Sequence, residues 1–282
     1  MEAPRGGTIQ TMTQLTVERI GPADVDAVQR VLDAEPIHNV YLRSELRIQG
    51  ASAPWWGVSD GHELRSVVLA GALTVPWIPD ASDAPRLAAA MRSNTPPHLM
   101  VGPRDAVRAL HECLVPRRPA LEIRDPQPVM VVDHDRLRVL PPAPLRRSTR
   151  ADVDRLARAA ALMHAEEMGG DSRPPDATAW RARMMQLVDR GWSWCWVDGG
   201  DVVFKAELSG WTPDVVQVQG VFTAPSHRGR GVATAAMVAL CATLLGSVPL
   251  VTLYVNDYNA AALRLYRRVG FEQHGSFATV MY

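Results

Sequence analysis

The run VFTAPSHRGRGVATAAM, Val221 to Met237, restricts the fold more than any other stretch. An apolar, strand-like segment stops at Pro225, a short loop carries two arginines and two glycines, and the chain then enters an alanine-rich segment. A helix that opens after such a loop leaves its first backbone N–H groups without partners, and its dipole favours an anion beside them. Gly229 and Gly231 clear side chains from that approach, while Arg228 and Arg230 add forked donors suited to phosphate oxygens. The loop is not a nucleotide P-loop, because no lysine-serine or lysine-threonine pair follows. Nor is it the dinucleotide fingerprint, which needs three glycines in G-x-G-x-x-G spacing. Taken alone, it reads more readily as a solvated basic turn than as an anion cradle.

The rest of the chain narrows the class. Its 282 residues suit two domains of about 130 residues each. Thirty basic residues balance thirty acidic ones, so no global field recruits nucleic acid or an anionic membrane. Lys205 is the only lysine; the arginine excess is read as a compositional bias. Cys113, Cys195 and Cys241 are far apart and set among apolar residues, which gives neither a metal spacing nor a disulfide framework. They suit buried thiols in a reducing compartment. No apolar run approaches the roughly 20 residues of a membrane span, and the N-terminus lacks the apolar core of a signal peptide. Residues 1–12 read as a flexible leader, and the expected location is cytoplasmic.

An internal echo organises the chain. The tetrapeptide Ala-Asp-Val-Asp occurs at Ala23–Asp26 and again at Ala151–Asp154, each time between a short strand-like run and a helical one. Asp24 and Asp152 sit where an acid favours a helix N-terminus. The echo points to duplication. Pro141, Pro142 and Pro144 mark a semi-extended linker between the copies. The expected division is a first domain over 13–136, a proline-rich linker over 137–145 and a second domain over 146–282.

In the first half, helices are expected around Asp24–Glu35, over HNVYLRSEL and over PRDAVRALHECL, with strand-like runs at Ser66–Trp77, His98–Gly102 and PVMVVD. Trp55 and Trp56 read as packed aromatics. In the second half, ALMHAEEMGG ends a helix at Gly169–Gly170, and DATAWRARMMQLVDRG is an amphipathic helix. A hairpin then turns at Gly199–Gly200, a third strand leads into the glycine loop, and a strand and helix follow. GFEQHGSFATVMY is expected as a final strand pair. The pattern is mixed α+β.

Beyond the loop, NAAALRLYRRVGF places Asn259, Ala262, Leu265, Tyr266, Gly270 and Phe271 in a fixed register. With Arg228-x-x-Gly231-x-Ala233 ahead of it, residues from about 145 to 282 resemble the GCN5-related N-acetyltransferase (GNAT) superfamily. The two matched signatures are [Q/R]-x-x-G-x-[G/A] and N-x-x-A-x-x-L-Y-x-x-x-G-F. The first half resembles, more weakly, a degenerate acetyltransferase-like domain of bacterial tandem proteins, chiefly through EPIHNVYLRSEL. The resemblance implies tandem domains, each a mixed twisted sheet flanked by helices.

It also implies acetyl-CoA, or another acyl-CoA, as cofactor. Its pantetheine would run along Val221, Phe222 and Thr223 as an added strand. Its pyrophosphate would rest on the amides from Gly229 through Arg230, Gly231, Val232 and Ala233 to Thr234, beside Arg228. Asn259 matches the asparagine that bonds the cofactor, and Tyr266 the general acid that protonates the leaving thiolate. Positions 259, 262, 263 and 266 share one helix face. The reaction would be direct attack of a primary amine, from a small molecule or a peptide, on the thioester; a homodimer is one assembly open to such a chain.

A general base is also needed, and here the chain departs from the family. Gln217 and Tyr254 stand where members often carry glutamate, and glutamine is not a base. Gln217, on one strand face with Gln219, is expected to position a water. Glu207 is the tentative base, with Glu166, Glu167 and His164 as further candidates. The competing reading is a catalytically weak acyl-CoA-binding sensor or scaffold.

Overall fold

The computed structural model describes residues 15–61, 63–93, 96–114, 119–167 and 176–282. The expected leader and the expected helix stop at Gly169–Gly170 lie outside them.

Both copies of the Ala-Asp-Val-Asp echo open a helix in the same way. The carboxylate of Asp24 accepts from the Gly21 amide at 2.8 Å, and that of Asp152 accepts from the Thr149 amide at 2.8 Å. Each acid ends a short 3₁₀ turn and satisfies an amide that the helix leaves free. Asp152 is held further by Arg146, whose two terminal nitrogens reach its two oxygens at 2.8 and 2.9 Å.

The first half runs β1 (Leu15–Arg19), α1 (Val25–Asp33), α2 (Val40–Gln49), β2 (Trp55–Asp60), β3 (Glu63–Leu69), β4 (Leu73–Trp77), α3 (Ala84–Ala90), β5 (Leu99–Pro103), α4 (Arg104–Leu114) and β6 (Glu122–Val132). The second half runs β7 (Arg146–Arg147), α5 (Val153–Glu167), α6 (Ala177–Asp189), β8 (Ser193–Asp198), β9 (Asp201–Trp211), β10 (Val215–Thr223), α7 (Val232–Leu245), β11 (Leu250–Tyr254), α8 (Ala260–Val269) and β12 (Glu272–Met281). The run Ser66–Trp77 contains two strands, because Ala70–Ala72 turns the chain back on itself and β3 pairs antiparallel with β4.

All twelve strands belong to one sheet, in the order β1-β2-β3-β4-β5-β12-β6-β11-β10-β9-β8-β7. The order is symmetric about its middle: each half supplies an antiparallel meander and then one parallel pair, β4 with β5 and β10 with β11. The halves exchange their last strands. β12 pairs with β5 of the first half, and β6 pairs with β11 of the second. The final segment is therefore one strand, not the strand pair expected from its glycine. Gly275 instead coincides with a register shift against β6, and the strand continues to Met281.

Strand alternation sorts the second half into two layers. Phe204, Ala206 and Leu208 of β9 and Val216 and Val218 of β10 pack against α7 through Met237, Leu240 and Leu244. On the opposite face, Val202 and Phe222 pack against α5 and α6 through Leu156 and Met184. α2 of the first half covers the remainder of that face; a Cβ at Gly210 of β9 would lie 3.1 Å from the Val40 carbonyl. Arg43 of α2 pins the contact, donating to Asp33 at 2.7 Å and to both oxygens of Asp214 at 2.9 Å. Among the described residues no helix is long and apolar enough to cross a membrane.

Candidate active site

The site begins with a bulge. β10 pairs with β9 throughout, but its register shifts between Gln219 and Phe222. Gly220 adopts φ +59°, a conformation that L side chains rarely take, and a Cβ there would meet the Glu207 carboxylate at 2.9 Å. The bulge reverses the alternation, so Val218 faces α7 whereas Phe222 faces α5 and α6. Lys205 is fully buried beneath it. Its ammonium donates to Glu207 at 2.6 Å and to the Gly220 carbonyl at 3.0 Å.

The parallel pairing of β10 with β11 ends at Gln217 and Thr252. Beyond that point the strands part, and the main chain of β10 faces a cleft of about 640 Å³. Val221, Phe222 and Thr223 form one wall. Gly229, Gly231, Val232, Ala233 and Thr234, at the start of α7, form the end. A Cβ at Gly229 or Gly231 would meet no atom within 4 Å, so the space over the loop is open. Asn259 and Tyr266 of α8 line the opposite wall, and Met163, Glu166 and Glu167 of α5 close the far side. Because α7 and α8 lie on one face of the sheet and α5 on the other, the cleft passes through the sheet where β10 and β11 separate.

Each cleft residue has a local cause. Asn259 caps α8, its side-chain oxygen accepting from the Ala262 amide at 3.0 Å. Tyr266 packs edge-on against Phe271 and is 6% exposed. Burial above all, with smaller contributions from Cys241 and Glu167, pushes its phenol well above the ordinary tyrosine value, so it keeps its proton at neutral pH. Glu167 opens into the cleft, yet the dense surrounding walls raise its carboxyl above the usual range. Arg124, His164 and Lys205 oppose that rise.

Not every residue singled out in the sequence reaches the cleft. Arg230 does not line it. Arg228 does, but its guanidinium donates to Glu166 at 2.6 Å and to the Thr223 carbonyl at 3.0 Å. Gln217 is 3% exposed and lies outside the cleft wall, its side-chain oxygen accepting from Ser209 at 2.8 Å. Glu207 also lies outside the wall, paired with Lys205. Period 2 along β9 carries the signal for this pair: residues 205 and 207 share a face.

The face carrying Lys205, Glu207 and Gln217 is polar, and both halves build it. Arg183 of α6 lies 3.9 Å from Glu207. Tyr41 of α2 is raised well above the ordinary tyrosine value by burial first, and it lies in the fields of Glu45, Arg183 and Tyr254. Arg124 of β6 acts on both Tyr254 and Glu167. Among the described residues, one group of metal-capable side chains occurs: Glu35, His38 and His274, with ligand atoms all within 4.8 Å of one another. It lies outside the cleft wall.

Among the described residues, the first half has no equivalent cradle. After β4, the loop to α3 carries Asp80 and Asp83 where the second half carries arginines. Asp80 caps the turn by accepting from Ser82 at 2.9 Å, so carboxylate already occupies the place an anion would take.

Family models match two stretches of the chain. Residues 160–271 match the family model described as acetyltransferase (GNAT) family, and residues 53–156 match a domain of unknown function, DUF4081. The fold resembles an acetyltransferase of the GNAT family from Colwellia psychrerythraea, with TM-score 0.61 and 11% identity, over 95% of this chain and 99% of that one. It also resembles a GCN5-related N-acetyltransferase from Sphaerobacter thermophilus, with TM-score 0.61 and 17% identity, over 95% of each chain. A tandem GNAT protein from the clavulanic acid biosynthesis pathway matches with TM-score 0.59 and 14% identity, over 95% of this chain and 98% of that one.

Proposed function

Because residues 160–271 match the acetyltransferase (GNAT) family model, we propose that the chain transfers an acetyl group from acetyl-CoA to a primary amine of a small molecule or peptide. The observation that carries this reading is the convergence of the open β10 edge, the α7 N-terminus and Tyr266 on one cleft. The cofactor side fits the ligand chemistry. An unpaired strand edge offers main-chain donors and acceptors to an extended pantetheine, and free amides at a helix start suit a pyrophosphate. Asn259 keeps its amide nitrogen for the cofactor while its oxygen caps α8.

A thioester supplies the activated acyl carbon and a thiolate leaving group. Tyr266, held neutral by its surroundings, donates the proton that the thiolate needs. Glu167, with its carboxyl raised and open to the same cleft, takes a proton from the acceptor's ammonium, directly or through a water, and leaves a neutral amine to attack the thioester carbon. Glu207 serves instead to hold Lys205 beneath the Gly220 bulge, which keeps the β10 edge presented. The first half then acts as the acceptor wall, through Tyr41 and Arg124.

The test is calorimetric binding of acetyl-CoA together with thiol release in the presence of an amine panel. Tyr266→Phe should leave affinity within about twofold and lower turnover by roughly 10²-fold or more. Acetyl-CoA binding without transfer to any amine would instead favour a sensor, and absence of binding would overturn both readings.

A further inference from the structure

A second pocket, of about 370 Å³, lies at the seam between the halves and shares no residue with the cleft. Ser44 and Arg47 stand three residues apart on α2, so they share a helix face. Opposite them are Arg147 of β7, Arg190 at the end of α6, Trp192 and Trp211. Among the described residues, the lining holds three guanidinium groups and no carboxylate. Asp152 is engaged by Arg146 and Asp189 by Arg150, while Glu45, next to Ser44 on α2, accepts from the Gln49 side chain.

The arginines are arranged rather than merely exposed. The guanidinium carbon of Arg147 lies 5.4 Å from the ring centre of Trp194, and that of Arg190 lies 5.5 Å from that of Trp192. Stacking on an indole orients a guanidinium while leaving its in-plane N–H donors for an oxyanion. Ser44 adds a second, independent observation. It is 1% exposed, and its hydroxyl has no hydrogen-bond partner among the described residues. Buried hydroxyls are normally partnered.

We propose that this seam pocket binds a phosphate-bearing small molecule, gripped by Arg47, Arg147 and Arg190 with the Ser44 hydroxyl donating to the same oxyanion. Trp192 and Trp211 provide an apolar wall for the remainder of the ligand. The volume suits a phosphate with one attached ring. Since α2 contributes one side of the pocket and the second half the other, an occupied pocket ties α2 down. α2 also presents Tyr41, so the ligand would stiffen the polar face next to the cleft.

The test is calorimetry on the full chain in phosphate-free buffer, with inorganic phosphate, glycerol 3-phosphate and phenyl phosphate as probes. Saturable one-to-one binding is expected, tightest for phenyl phosphate. Arg147→Gln/Arg190→Gln should weaken it at least about tenfold, and Arg47→Gln, on an exposed helix position, severalfold. Circular dichroism checks that each variant remains folded. Equal affinities for inorganic and phenyl phosphate would assign free phosphate as the ligand and support the arginine grip. No saturable heat with any probe into the millimolar range, or binding that survives both variants, overturns the proposal.

Discussion

Arg228 and Glu166 form an ion pair of 2.6 Å that joins the glycine loop to α5 across the edge of the cleft. The arginine expected beside an incoming pyrophosphate is therefore held by a carboxylate of the protein itself. Anion binding has to compete with Glu166. Both side chains are about half exposed, so the pair contributes about 0.2–1 kcal/mol. Glu166→Gln should accordingly tighten acetyl-CoA binding by roughly two- to fivefold, with a steeper salt dependence, measured by calorimetry at two ionic strengths. An unchanged or weakened affinity would show that Glu166 does not compete.

Glu167 sets the expected pH dependence. Burial raises its carboxyl, so the base form is lost at a higher pH than for an ordinary glutamate. The acid limb of kcat/KM should fall as pH drops through that raised value. Glu167→Gln should lower kcat/KM by about 10²-fold at neutral pH and remove the limb. A variant that keeps the wild-type limb places the base elsewhere.

The Lys205–Glu207 pair should behave as a buried unit. Lys205→Met leaves the Glu207 carboxylate buried beside Gly220 without its partner, which should destabilise the fold by about 3–5 kcal/mol. Lys205→Met/Glu207→Met should recover most of that loss in chemical denaturation. Recovered stability with persistently weak acetyl-CoA binding would assign the lysine to shaping the bulge. Recovery of both would make the pair purely structural.

Arg43 holds Asp33 of its own half and links the halves through Asp214, and both carboxylates are more than 40% exposed. Solvent therefore screens the pairs, and Arg43→Ala is expected to destabilise by about 2 kcal/mol rather than by the full value of a buried pair. Asp214 is already lowered below the usual carboxylate range: burial raises it, but Thr212 and Arg43 together more than offset the rise. A depressed carboxyl stabilises the fold above its unfolded value and loses that contribution as pH falls. The difference between wild type and Arg43→Ala should thus be largest at neutral pH and shrink in acid, as followed by thermal melts.

Part of the cleft was legible through two short motifs that carry the family resemblance. Gly229 and Gly231 belong to the first, Asn259 and Tyr266 to the second, and all four line one cleft. The remainder of the cleft and the polar face beside it were not legible, because they are made from contacts distant in sequence. The Arg228–Glu166 pair spans 62 residues, and Tyr41 comes from the other half of the chain. Glu207 has the opposite history: its buried partner was two residues away, on the same strand face, and is the only lysine in the sequence. Gly275 hides the single long β12: a glycine suits a turn, but a lone one inside a strand pattern also marks a bulge, and here it accompanies a shift in pairing. No local pattern announces which strand a segment will lie beside.

The exchange of β6 and β12 also orders events during synthesis. β6 leaves the ribosome well before β11, the neighbour it needs on one edge, and before β12, the neighbour it needs on the other. Until Glu272–Met281 has been made, β5 and β6 each keep an open edge available to a second chain. The first half therefore cannot close its sheet as a finished unit ahead of the second. A nascent chain halted near the prolines is a partial sheet that invites pairing with its neighbours, so closure waits for the last strand to thread between the two halves.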